Sequence, residues 1–172
     1  LCLLEVLHSP VVETLGDRCI EHRRHHANAH PDRIVVLWLD ELTVYTSPSV
    51  AGTWGPAEGR AHKAVQATDA EDKLRMVGVL NHLTGQVHYW IRRKVGKQAL
   101  VDFYAFLRSV YPHAEELYVI QDCCPTHFLD EVCHAAVHAE ITQVPLPTYS
   151  SWRNPIEKLW RWLKQDVIHM HP

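Results

Sequence analysis

Two aspartates stand directly after the most strand-like runs of the chain: Asp40 follows Ile34–Leu39, and Asp122 follows Leu117–Gln121. If those runs form parallel, adjacent strands, both carboxylates reach one sheet edge, where α/β sheets take their ligands. Like charges brought together there repel, and bare burial costs several kcal/mol, so the pair calls for a divalent cation. Hard oxygen ligands without a nearby Cys/His set favour Mg²⁺ or Mn²⁺. For either aspartate alone, a strand that simply ends on a polar surface residue is the plain alternative.

Glu157 is a third acid with its own plain alternative. Asn154-Pro155-Ile156-Glu157 puts Asn at a helix N-cap, Pro at the first helical position and Glu at the third, a capping box. Glu41 should point to the strand face opposite Asp40, so it reads as a solvent or salt-bridge residue. Cys123, Cys124, His127, Cys133, His134 and His138 lie within sixteen residues, and Cys124-x2-His127 resembles half a zinc site. No second knuckle completes it.

The elements that must carry these residues follow from the apolar pattern. Residues 1–32 read as a helical linker or supporting segment that starts at Ser9-Pro10 and ends near Pro31. Ile34–Leu39 is an unbroken apolar run suited to a central strand, ending at Asp40-Glu41. Short pieces broken by Ser47-Pro48, Gly52, Gly55-Pro56 and Gly59 suit hairpins and a surface loop. Strands at Leu74–Leu80 and Gln86–Ile91 are joined by Asn81, Thr84 and Gly85, and an amphipathic helix spans Lys97–Tyr111. A strand at Leu117–Ile120, a helix from about Phe128 to His138, a strand at Ile141–Leu146 and a last helix from Asn154-Pro155 complete the order. Early antiparallel strands are thus followed by helical crossovers that set later strands parallel to the first.

Composition limits the function classes. A chain of 172 residues, 47% apolar and with six Trp and six Tyr, makes one globular domain and excludes disorder. The longest apolar run, six residues, is too short to span a bilayer, which needs about 20. Leu1–Leu7 has no basic leader and no small-residue cleavage pattern follows it, so no secretory signal is expected, and the missing initiator Met suggests a fragment or a trimmed chain. A net charge of −3 lacks the basic excess of a free-standing DNA-binding module. Five cysteines, two of them adjacent, make a poor disulfide framework and favour a reducing, cytoplasmic setting.

Taken together, Leu39-Asp40-Glu41, Val119-Ile120-Gln121-Asp122 with His127, and Leu146-Pro147-Thr148-Tyr149-Ser150-Ser151-Trp152-Arg153-Asn154-Pro155-Ile156-Glu157-Lys158-Leu159-Trp160 resemble the catalytic core of DDE transposases. The match is to the mariner-like group and its bacterial insertion sequence 630 type. The 34 residues between Asp122 and Glu157 reproduce that group's spacing, and Trp54-Gly55-Pro56 with Gly59 resembles its Trp-containing segment. The chain departs from the pattern at Cys123, where the family commonly has Asn, and at Ser151 and Arg153.

The resemblance implies an α/β, ribonuclease-H-like fold over residues 33–172: a mixed five-stranded sheet, three antiparallel strands then parallel ones, flanked by helices. It implies Asp40, Asp122 and Glu157 as catalytic, metal-ligating acids for two Mg²⁺ or Mn²⁺ ions, with His127 and Asn154 beside them. The implied activity is cleavage of DNA at transposon ends and strand transfer into target DNA. The implied setting is the bacterial cytoplasm at the nucleoid, as a homodimer in the full-length form, with no membrane. A hydrolysis-only nuclease and an inactive DNA- or protein-binding remnant are the alternatives. Arg92, Arg93, Lys94, Lys97, Arg153, Lys158 and Lys164 are candidate DNA backbone contacts, with solvated faces as the alternative. Arg161 could instead pair with Glu157 one turn away. The indoles of Trp38, Trp160 and Trp162 read as core or interface.

Overall fold

Every residue from Ile34 to Leu39 is apolar, so that segment must be covered on both faces. In the structure, a computed structural model that describes residues 10–45, 73–147 and 153–168, it is the middle of a five-stranded sheet. The spatial order is β3-β2-β1-β4-β5. The strands are β1 (Ile34–Tyr45), β2 (Lys73–Asn81), β3 (Val87–Arg92), β4 (Glu116–Gln121) and β5 (Ile141–Pro145). Strands β1, β2 and β3 pair antiparallel, while β4 and β5 run parallel to β1. This is the mixed sheet expected from the sequence.

The helices are α1 (Pro10–Ala29), α2 (Lys97–Val110), α3 (Asp130–His138) and α4 (Pro155–Trp162), the last continuing as a π-helical turn over Leu163–Ile168. One sheet face carries Leu37, Leu39, Val77, Val79, Leu117 and Val119 and is covered by α2 and α3. On the opposite face Ile20 and Ala27 of α1 pack with Val36, Trp38 and Ile120. Further along that face, Ile156 and Trp160 of α4 pack with Leu42 and Met76. Alternation along each strand thus divides the side chains between two helical layers.

Two expectations are corrected here. Strand β1 does not end at Asp40 but runs on to Tyr45, because Leu42 is buried under α4 and keeps the alternation going. What stops near Asp40 is the pairing with β4, whose last partners are Trp38 and Ile120; pairing with β2 continues to Tyr45 and Lys73. The helix expected from Phe128 is also split: a 3₁₀ turn over Pro125–Phe128 precedes an extended Leu129 and then α3. The β2–β3 turn forms as expected, with Asn81 Oδ1 accepting from the Leu83 and Thr84 amides and Gly85 at φ +70°. The loop around Ser47-Pro48, Gly52, Trp54-Gly55-Pro56 and Gly59, and the stretch Thr148–Trp152, lie outside the described residues.

At the end of the sheet where β4 and β5 begin, Arg108 of α2 donates to the carbonyls of Ala139 (2.6 Å), Glu140 (2.6 Å), Ala114 (3.0 Å) and Tyr111 (3.3 Å). It holds Glu140 in the left-handed region, φ +52°, which costs a non-glycine residue about 1 kcal/mol. At the other end, Gly78 lies directly opposite Asp40, and a Cβ there would stand 2.9 Å from Trp160 Cη2. The buried Trp160 ring can approach the sheet this closely only because residue 78 has no side chain. Gly78→Ala is therefore expected to destabilise the fold by about 1–3 kcal/mol through overpacking, measured by urea denaturation. Adding Trp160→Leu should recover part of that loss.

Candidate active site

Three chain segments bring acids to the sheet edge where β1 and β4 part. Asp40 sits within β1 on the α4 face, opposite Gly78. Asp122 follows the last residue of β4. Glu157 lies in the first turn of α4, where a helix N-terminus favours negative charge.

Asn154 joins the third segment to the first. Its Oδ1 accepts from the Ile156 amide at 3.3 Å and so caps α4, while its Nδ2 donates to the Leu39 carbonyl at 2.9 Å. That carbonyl is available because carbonyls alternate along a strand: Val36 O accepts from His82 on the β2 side, so Leu39 O faces the edge that β4 has left. Asn154 is 2% exposed. Asn154 caps the helix through the second helical residue, so the expected capping box, which pairs it with Glu157, does not form. The Glu157 amide reaches the Asn154 carbonyl at 3.1 Å, but the Glu157 carboxylate makes no return bond, and its charge acts on Asp40.

The electrostatics match this placement. Burial pushes the Asp40 carboxyl up to about 6, and the charges of Glu157, Asp122 and Glu41 push in the same direction. Only the Glu41 backbone amide opposes them; no Lys or Arg does. Asp122 is held below the ordinary carboxylate range, chiefly by its hydrogen bond to His127. His127, 2% exposed, reaches Asp122 Oδ1 through Nδ1 at 3.0 Å and Glu41 Oε1 through Nε2 at 3.3 Å. Burial draws its pKa down, but the two carboxylates outweigh burial and raise it.

The site thus pools negative charge with one imidazole as its internal counter-charge. Its donors are carboxylate oxygens, the set that suits Mg²⁺ or Mn²⁺. Among the described residues, no three His, Cys, Asp or Glu side chains already stand close enough to grip one ion. The zinc alternative finds no ligand set there either: His127 is committed to two carboxylates, Cys123 Sγ donates to the Leu146 carbonyl at 3.1 Å, and Cys19, Cys123, Cys124 and Cys133 are free thiols.

The basic candidates divide. Arg93, Lys94, Lys158 and Lys164 are exposed. Arg92 lies over Trp90 at 4.8 Å on the α2 face, Lys97 pairs with Glu131 at 2.5 Å, and Arg153 pairs with Asp17. Arg161 forms no ion pair with Glu157. Trp38 and Trp160 are buried, whereas Trp162 is 54% exposed. The sequence did not disclose the buried polar chain behind Asp122. There Tyr104 donates to Gln121 Oε1 at 2.7 Å, and Gln143 Nε2 donates to Tyr104 and to the His127 carbonyl, both at 3.0 Å. A Gln at alternate positions of two parallel strands was the available signal.

Residues 35–172 match the family model of the DDE superfamily endonucleases. A 39 kDa protein of insertion element IS630 from Shigella sonnei is 23% identical over 137 residues, covering 79% of this chain and 39% of that protein. Among solved structures, a pre-cleavage Mos1 transpososome is similar with a TM-score of 0.61 and 12% identity, covering 88% of this chain and 48% of that one. A Mos1 mariner paired-end complex with Mn gives 0.58 and 14%, covering 83% and 44%. The likeness in structure is one of fold, and the chain spans less than half the length of these relatives. No helix among the described residues is long and apolar enough to cross a membrane.

Two outcomes are expected of the cation-free protein. Asp40 has a raised pKa, so its contribution to stability is full below about pH 3.8 and is lost as pH rises through about 6. Asp40→Asn should therefore melt above wild type at pH 8, by on the order of 2 kcal/mol, and show no advantage at pH 3.5. Asn154→Ala should cost about 2–3 kcal/mol, from the lost cap and the orphaned Leu39 carbonyl. Asn154→Ser, which can cap but is too short to reach Leu39, should recover only part of that in urea denaturation.

Proposed function

The chain belongs to the DDE superfamily of endonucleases, and from that premise we propose that Asp40, Asp122 and Glu157 are its catalytic acids and that its substrate is DNA. The observation that carries this reading is the state of Asp40: acids from three separate segments act on it, and no basic side chain relieves it. Structural carboxylates are normally paired or solvated, so a half-buried Asp40 with acids around it and no basic partner points to a cationic ligand. Asp40, Asp122 and Glu157 would together hold two Mg²⁺ or Mn²⁺ ions. When bound, they supply charge neutralisation at the scissile phosphate and a lowered pKa for the attacking hydroxyl.

The remaining work falls to this chain's own groups. Asn154 ties the start of α4 to Leu39, one residue before Asp40, so the helix that carries Glu157 is already set at this edge when DNA arrives. His127 holds the Asp122 carboxylate by one oxygen. Arg93, Lys94, Lys158 and Lys164 offer phosphate contacts at once; Arg92, Lys97 and Arg153 would first exchange their present partners for phosphate. The reaction is hydrolysis of a phosphodiester at a transposon end, followed by attack of the freed 3′-hydroxyl on target DNA. In the full-length protein two copies would hold two ends, in the bacterial cytoplasm at the nucleoid.

Nicking of supercoiled plasmid DNA in Mn²⁺ tests the assignment. Asp40→Asn, Asp122→Asn and Glu157→Gln should each slow nicking by about three orders of magnitude, the worth of several kcal/mol of lost charge stabilisation. Wild-type nicking by any one of the three overturns that residue's role.

A further inference from the structure

Asp40 and Glu41 are neighbours in β1, so their side chains leave opposite faces of the sheet. Asp40 faces α4, and Glu41 faces the α2 and α3 layer. Glu41 is nevertheless tied to the site, because His127 reaches it from one ring nitrogen and Asp122 from the other. The Asp122 backbone carbonyl also lies 3.4 Å from Nδ1. Both ring nitrogens thus face oxygen acceptors, and each fills its role only as a donor. The ring has little freedom to turn: it is buried, its residue lies within the 3₁₀ turn Pro125–Phe128, and its carbonyl accepts from Gln143.

We propose that Glu41 is a positioning residue, which acts through His127 to brace the carboxylate of Asp122 from the far face of the sheet. The inference rests on reading Asp122 as a cation ligand. Asp122 needs such a brace because it lies just past the end of β4, where ladder bonds no longer hold it, and its side chain is half exposed. Apart from His127, its carboxylate has one further partner among the described residues, the Cys124 amide at 3.3 Å. Partners that orient a ligating carboxylate typically change metal affinity 10–100-fold when removed.

Two substitutions separate a brace from a mere charge. Glu41→Gln keeps the reach and the accepting oxygen but loses the charge; Glu41→Asp keeps the charge but falls one methylene short of His127. Mn²⁺ affinity of the 172-residue chain, read by electron paramagnetic resonance titration, should stay within about threefold for Glu41→Gln. It should weaken about tenfold or more for Glu41→Asp. In a His127→Ala background the two Glu41 variants should no longer differ. The reverse order, with Glu41→Asp like wild type and Glu41→Gln weakened, overturns the brace in favour of a field effect. Equal, near-wild-type affinity for both also overturns it, and so does loss of a bound equivalent in both, which would make Glu41 a ligand. Asp122→Asn serves as the control. If it weakens Mn²⁺ binding while both Glu41 variants do not, only the brace falls; if it leaves binding unchanged, the role of Asp122 as a ligand falls as well.

Discussion

The carboxamide of Asn154 makes two bonds in two directions, and the site depends on both. One ends the helix that carries Glu157; the other fixes that helix to the strand one residue before Asp40. Either bond alone would leave a degree of freedom. A capped but untied helix could slide along the sheet, and a tied but uncapped one could unwind its first turn. The tie also satisfies a carbonyl that would otherwise be buried without a partner where β1 and β4 separate. The same bond that completes the sheet edge therefore delivers the third acid.

Packing supports this arrangement from the opposite side. Trp160, one turn beyond Glu157, lies over Gly78, which is the cross-strand partner of Asp40. The helix is thus fixed at its start by a hydrogen bond and along its length by an indole against bare backbone. Apolar contact and one amide offset the repulsion that gathering carboxylates entails, and the energetic cost is concentrated at Asp40. Charge is also divided unevenly: Asp40 is left without a cation, while Asp122 and Glu41 share His127.

Much of this was legible in the sequence. Unbroken apolar runs identified β1 and β4, helical spacing identified α2 and α4, and Asn81 with Gly85 marked the β2–β3 turn. Asp40, Asp122 and Glu157 stood out because each ends or follows a strong local pattern. The extension of β1 was obscured because two acids interrupt an apolar run whose later members, Leu42 and Val44, belong to a different cluster. The dual use of Asn154 was hidden for another reason. Local sequence shows a cap, while its partner at Leu39 lies 115 positions away. Glu41 with His127, Arg153 with Asp17 and Lys97 with Glu131 are likewise products of topology, which residue type and spacing do not report.

Arg108 lies at the end of the sheet remote from all of these acids, and its partners are four backbone carbonyls. Every amino acid supplies a carbonyl, so the side chains at 111, 114 and 139 can vary without dissolving the knot, whereas the Glu140 carboxylate itself pairs with Arg108 at 4.0 Å. Mutational tolerance is thereby concentrated at the foot of the molecule. The acidic rim, built from particular side chains, gains a footing that sequence drift cannot easily loosen.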